Sequence, residues 1–297
     1  MPAERTAQTY GPGVTAASRA VLLETMTVLR SYQDALVLVG GWAPYLLLQQ
    51  HQRPEDQFVH VGSIDIDLAV DPSQVSDAQY ATMLQLLAER GYRPLADRRD
   101  GGPPCSVERT VNSPLTQKPY PIRVDFLTRL QDPRPGRHRH LPVQDDLLAR
   151  KIKGCDAAFR YQMTIQFSGE LPDGGRLTVP MRMASLVACL TMKGIVLGER
   201  YREKDAYDIY ALLAHYQGGP RDAAEMLRPH LDDPLVAEGM ANIRAAFATR
   251  DAHGPAWVAA FLVNPMFAAA YQRHRTDAFM TVGEFSKWLW STQPSVR

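Results

Sequence analysis

Between Leu36 and Leu68 an apolar run, Leu36-Val37-Leu38-Val39, stops at Gly40-Gly41-Trp42, and Gly62-Ser63-Ile64-Asp65-Ile66-Asp67-Leu68 closes the stretch. Side chains alternate across a strand, so the spacing predicts Ile64, Ile66 and Leu68 toward a core and Ser63, Asp65 and Asp67 on the opposite face. Two carboxylates on one face repel each other and are costly to desolvate unless a cation lies between them. The chain must therefore build a sheet whose polar face is kept for chemistry. Hard oxygen donors of this kind suit Mg²⁺.

The elements around this stretch follow from periodicity. Thr15 to Tyr32 has helical spacing and leads into the strand Ala35–Val39. Gly40-Gly41 permits a tight turn from which a helix, Trp42–Gln50, starts, with Pro44 tolerated in its first turn. Amides at such a start suit a phosphate. Ser76–Arg90 has helical periodicity and Gly91 stops it. Ser106–Val111 and Tyr120–Thr128 read as strands, the second with Ile122, Val124 and Phe126 on one face and Arg123, Asp125 and Leu127 on the other. If the strands are neighbours, Asp65, Asp67 and Asp125 could close around a metal pair.

Asp132 to His140 reads as a basic loop, reinforced by Arg150, Lys151 and Lys153. A solvated loop and a nucleic-acid contact are both open for it. Strands are expected over Phe159–Phe167 and Arg176–Val179. From Met181 the pattern turns helical, with helices at Ser185–Leu197, Glu203–His215, Arg221–Arg228, Val236–Thr249 and Val282–Leu289. This gives a flexible N-terminus (1–14), a sheet-containing domain (15–180) and a helical domain (181–297).

At 297 residues with formal net charge +1, the chain has no global field to draw in nucleic acid, so any such binding must come from a local cluster. The three cysteines, Cys105, Cys155 and Cys189, lack zinc or redox spacing and read as reduced thiols. The first residues carry no apolar core of a signal, and no apolar run approaches the roughly 20 residues that span a bilayer. A cytoplasmic protein without membrane association is the expectation.

Gly40-Gly41, Ser63 to Leu68 and Arg123-Val124-Asp125 together resemble the DNA polymerase β-like nucleotidyltransferases. With Lys193 and Lys204-Asp205-Ala206-Tyr207-Asp208-Ile209-Tyr210 added, the pattern is similar to the AbiEii/AbiGii-type nucleotidyltransferase toxins, which include mycobacterial toxins that add nucleotides to tRNA 3′ ends. The family often has Ser or Thr after the second glycine, where this chain has Trp42.

The resemblance implies an α+β fold, with a polymerase β-like mixed sheet, flanking helices and a helical C-terminal domain. It implies an enzyme that moves a nucleotide from an NTP to an RNA acceptor, with tRNA foremost, as the toxin of a toxin-antitoxin pair. Two Mg²⁺ ions would be held by Asp65, Asp67 and Asp125. Lys193 and Asp208 would join the catalytic set, and Gly40, Gly41, Ser63, Lys193 and Lys204 would contact the nucleotide. A cognate antitoxin protein or kinase would be the protein partner, with phosphorylation of Ser63 as one way to block the site.

Local readings stand beside these. Lys204 and Asp208, four residues apart, can form a simple helical ion pair. Tyr207, Tyr210 and Trp257 fall at apolar helical positions and read as core. His138 and His140 lack the partners of a zinc site. The same machinery acting on a small molecule, as in aminoglycoside nucleotidyltransferases, and a catalytically silent nucleotide-binding module are the alternatives.

Overall fold

The computed structural model describes residues 5–75, 81–95, 102–130, 139–199 and 203–291. Their contacts divide the chain into two units: Tyr10–Ala43 with Val61–Ser185, and Met1–Thr9 with Pro44–His60 and Leu186–Arg297. The fold is α+β, a mixed sheet with flanking helices and a helical C-terminal portion.

The sheet unit opens with α1 (Pro12–Val28) and β1 (Leu36–Val39), after which the chain turns into α2 (Trp42–His51). It continues with β2 (Ile66–Val70), α3 (Met83–Ala88), β3 (Arg93–Pro94), β4 (Ser106–Asn112), β5 (Pro119–Arg129), β6 (His140–Gln144), β7 (Leu147–Ile152), α4 (Cys155–Arg160), β8 (Gln162–Glu170) and β9 (Arg176–Ala184). The strand order is β3-β4-β5-β2-β1-β9-β8, and the β6–β7 hairpin joins through β7 to β5. β2 and β7 run parallel to β5, and β1 runs parallel to β9.

All four residues of β1 are buried, as an uninterrupted apolar run in a strand covered on both faces requires. α1 packs against β4, β5, β8 and β9, and α4 against β1, β5, β8 and β9. α3 starts in a capping box in which the Thr82 hydroxyl accepts from the Gln85 amide and the Gln85 side chain accepts from the Thr82 amide. Gly91 follows it at φ +80°.

Several expected bounds shift. α1 begins at Pro12, inside the segment expected to be flexible, and Ala7–Thr9 forms a 3-10 turn. α3 begins at Met83, and residues 76–80 of the expected helix lie outside the described residues. β2 starts at Ile66, so Asp65 lies in the bend before it rather than beside Asp67 on one strand face. Phe159 belongs to α4, because Gly154 at φ +83° launches a helical turn before β8 begins at Gln162. β9 runs on to Ala184, with Pro180 inside it, so the sheet unit ends at Ser185 and not near 180. Most of the basic loop, residues 131–138 including His138, lies outside the described residues.

The helical unit comprises α5 (Leu186–Glu199), α6 (Glu203–His215), α7 (Pro220–Leu227), α8 (Pro234–Ala246), α9 (His253–Leu262) and α10 (Ala268–Trp290), with 44–60 packed into it. α5 and α8 cross backbone to backbone. A Cβ at Gly194 would run into the Gly239 carbonyl, and one at Gly239 would lie 2.7 Å from the Thr191 carbonyl oxygen. Tyr207, Phe261 and Phe285 fill the core between these helices. α9 was not expected, and α10 is far longer than the expected Val282–Leu289, because its N-terminal turns are largely polar and exposed. Among the described residues no helix is long and apolar enough to cross a membrane.

Candidate functional site

The middle of the sheet places two of the sequence-predicted residues, Asp67 and Asp125, in one row. Val39 of β1 registers with Asp67 of β2, Asp67 with Asp125 of β5, and Asp125 with Ser106 of β4. Residues in register share a sheet face, so Asp67 and Asp125 stand side by side. Gly40 follows Val39 at φ +67°, and a Cβ there would collide with the Asp67 carboxylate. The first glycine is thus required twice, for its left-handed backbone and for its close approach to Asp67.

β5 changes neighbours at this row. On one edge it pairs with β4 up to Asp125, and β7 takes over from Leu127, which registers with Arg150. The seam brings Ser106 and Arg150 to Asp125 from two different strands. The Ser106 hydroxyl donates to Asp125 Oδ1 at 2.5 Å, Arg123 Nε donates to the same oxygen at 2.8 Å, and Arg150 Nη2 reaches it at 3.5 Å. Arg123 also donates to Ser106 Oγ at 2.7 Å, closing a small ring of polar contacts. Among the described residues all these donors fall on Oδ1 of Asp125, and Oδ2 accepts none.

Asp65 is half-buried in the bend leading into β2, and Ser63 is buried with its hydroxyl donating to the Asp65 carbonyl at 2.9 Å. Ser63 thereby braces the bend that carries Asp65. Trp42 is fully buried, its indole N–H donating to Ser18 Oγ at 3.0 Å, so the position after the second glycine is spent on a contact with α1. Among the described residues no group of three His, Cys, Asp or Glu side chains is placed to hold a metal ion. The adjacent hard-oxygen pair, Asp67 and Asp125, nevertheless has the donor chemistry that suits a divalent cation.

The second set of expected residues lies in the helical unit. Asp208 of α6 is fully buried, with Lys193 of α5 2.6 Å from its Oδ2 and His60 Nε2 2.9 Å from its Oδ1. Lys204, one turn earlier, also pairs with Oδ1, as the i, i+4 spacing allows. Lys193 donates to Asp205 as well, at 3.0 Å. Burial alone would raise the Asp208 pKa, but the two ammonium groups and His60 override it and hold the carboxyl well below the ordinary carboxylate range.

The two lysines respond differently to the same burial. It penalises both, yet Lys193 faces two carboxylates and is held above its ordinary value, while Lys204 is lowered, with Lys193 adding to its burial cost. His60, wedged against the rings of Tyr207 and Tyr45, is pushed down to about 4 by burial and then by Lys204. With His60 neutral, two cations face two carboxylates and the cluster is internally balanced. Each ammonium expected to contact a nucleotide therefore already has a carboxylate partner.

The sequence reading named Asp67, Asp125, Gly40, Lys193, Lys204 and Asp208; it did not name Ser106 and Arg150 as neighbours of Asp125, or His60 as a neighbour of Asp208. Ser106 and Arg150 become visible only through strand register. His60 sits in a polar loop whose sequence does not announce burial. Cys155 and Cys189 are buried thiols pushed up to about 12, chiefly by desolvation, and Cys105 is buried too.

No family model matches the chain, and no curated protein is significantly similar to it. Among solved structures, the crystal structure of JHP933 from Helicobacter pylori is 13% identical, with a TM-score of 0.37, over 90% of this chain and 92% of that one.

Proposed function

We propose that the chain is a nucleotidyltransferase that moves a nucleotide from an NTP to the hydroxyl of an RNA acceptor, releasing pyrophosphate. The observation that carries this reading is the row Val39-Asp67-Asp125-Ser106, with Gly40 pressed against Asp67 and Asp125 fixed by one oxygen only. Two adjacent carboxylates repel each other on a purely structural strand, whereas a phosphoryl-transfer site needs them.

Asp67 and Asp125, with Asp65, are the residues that would hold Mg²⁺, which when bound neutralises triphosphate charge. Ser106 and Arg123 fix Oδ1 of Asp125, so Oδ2 is left to accept the proton of the acceptor hydroxyl. The hydroxyl oxygen then bonds to the α-phosphorus as the bond to the pyrophosphate oxygen breaks, and pyrophosphate leaves with that electron pair. Gly40 and Gly41 let backbone amides approach the phosphates. The balanced cluster of Lys193, Lys204, Asp205 and Asp208 supports a role in holding α5 and α6 together.

tRNA as the acceptor, service as a toxin in the cytoplasm and restraint by an antitoxin or by modification at Ser63 complete the proposal. The buried Ser63 hydroxyl would require the bend before β2 to open for modification. A silent nucleotide-binding module is the second reading, favoured by the engagement of Asp125 with Arg123. Calorimetric titration with each NTP in Mg²⁺, on wild type and Asp67→Asn, tests the site. Binding that requires both Mg²⁺ and Asp67 supports it, and Mg²⁺-independent binding unaffected by the substitution overturns it.

A further inference from the structure

Arg123 and Arg150 approach Asp125 in different ways. Arg123 donates to both Asp125 and Ser106 at close range and holds the carboxylate in place. Arg150 touches Asp125 at 3.5 Å, its side chain is 40% exposed, and among the described residues that long contact is its one ion pair. A guanidinium carries five N–H donors in a fork that matches a phosphate. The partly exposed guanidinium lies on the same sheet face as Asp67 and Asp125, because Arg150 registers with Leu127, two residues from Asp125.

Resting on the transfer reading, which makes Asp125 the group that meets the acceptor hydroxyl, we propose that Arg150 binds the terminal phosphodiester of a nucleic-acid acceptor. In a polynucleotide the phosphate nearest the 3′-hydroxyl belongs to the same nucleotide, so a cation one contact away from Asp125 meets it when the hydroxyl is in place. Arg150 exchanges a weak contact with Asp125 for a charge-assisted, bidentate one to phosphate. The same guanidinium repels a polycationic small molecule at that spot, so Arg150 sets the acceptor class. Lys151, its neighbour on β7, points to the other face by strand alternation and takes no part.

Fluorescence anisotropy with a short labelled single-stranded RNA, and with the same RNA carrying an uncharged methylphosphonate at its last linkage, tests this without NTP or turnover. Wild type is expected to bind the methylphosphonate RNA about tenfold more weakly. Arg150→Gln binds both RNAs equally and lowers the salt slope by about one, and Arg150→Lys recovers part of the discrimination. Lys151→Gln, with the same loss of charge, still discriminates.

Equal binding of both RNAs by wild type, no RNA binding at all, or persisting discrimination in Arg150→Gln overturns the proposal. So does an Arg150→Gln variant whose calorimetric NTP affinity falls while RNA affinity holds, which assigns the residue to the triphosphate. Discrimination without nucleotide transfer refutes the transfer reading alone, and transfer without discrimination refutes the role of Arg150 alone.

Discussion

His60 makes stability depend on pH in a defined window. In the folded chain its ring is buried beside Lys204 and its N–H donates to Asp208, so it binds a proton only near pH 4, against an ordinary value of 6.5. Between those values the unfolded chain carries the additional proton, so stability rises with pH and is lost as pH falls through the window. The full loss is about 3 kcal/mol, most of it reached by about pH 4.5. Asp208, held low in the folded chain, begins to take up a proton in the unfolded chain only below about pH 5, so it adds a small slope in the same direction at the acid end of this range.

His51, lowered by burial, acts in the same direction as His60, and Glu24, raised mainly by burial, acts in the opposite one. Both effects cancel when wild type is compared with His60→Gln. Urea unfolding of the two proteins at about pH 7 and about pH 4.5 should show wild type losing roughly 2–3 kcal/mol more than the variant. Equal losses would mean that His60 titrates as it does in the unfolded chain, and the buried cluster around Asp208 would be refuted.

Asp208→Ala leaves Lys193 and Lys204 buried without their shared partner and should destabilise the protein by about 3–5 kcal/mol, measured by denaturant unfolding. Gly194→Ala drives a methyl group into the Gly239 carbonyl at the α5–α8 crossing, and a loss of about 1–3 kcal/mol is expected in the same assay. Gly40→Ala combines a left-handed backbone with a clash against Asp67; it should cost about 1–2 kcal/mol and weaken NTP binding in calorimetry. A Gly40→Ala protein with unchanged NTP affinity would remove the glycine turn from the site.

The part of the fold legible in the sequence is the part written in local pattern. The apolar run of β1, the glycine turn, the i, i+4 pair on α6 and the Ile122-Val124-Phe126 alternation of β5 all came through. Asp65 was misplaced by one structural step, because alternation alone cannot say at which residue a strand starts; the bend braced by Ser63 delays β2 to Ile66. The return of residues 44–60 to the helical unit left no signature, since it depends on contacts distant in sequence. The Asp67–Asp125 adjacency needed the assumption that their strands are neighbours, and the parallel register supplies it. Ser106, Arg150 and His60 have ordinary neighbours in sequence and take on meaning only through their partners in space.

The most direct measurement of the central claim is transfer itself. Purified protein is incubated with each labelled NTP, Mg²⁺ and total tRNA, beside Asp67→Asn and Asp125→Asn, and the products are resolved on a denaturing gel. The account predicts label entering the RNA with wild type and lost in both variants while their folds are retained. Label that persists in both variants would contradict the assignment of the site, and wild type that labels no acceptor with any NTP would contradict nucleotidyl transfer.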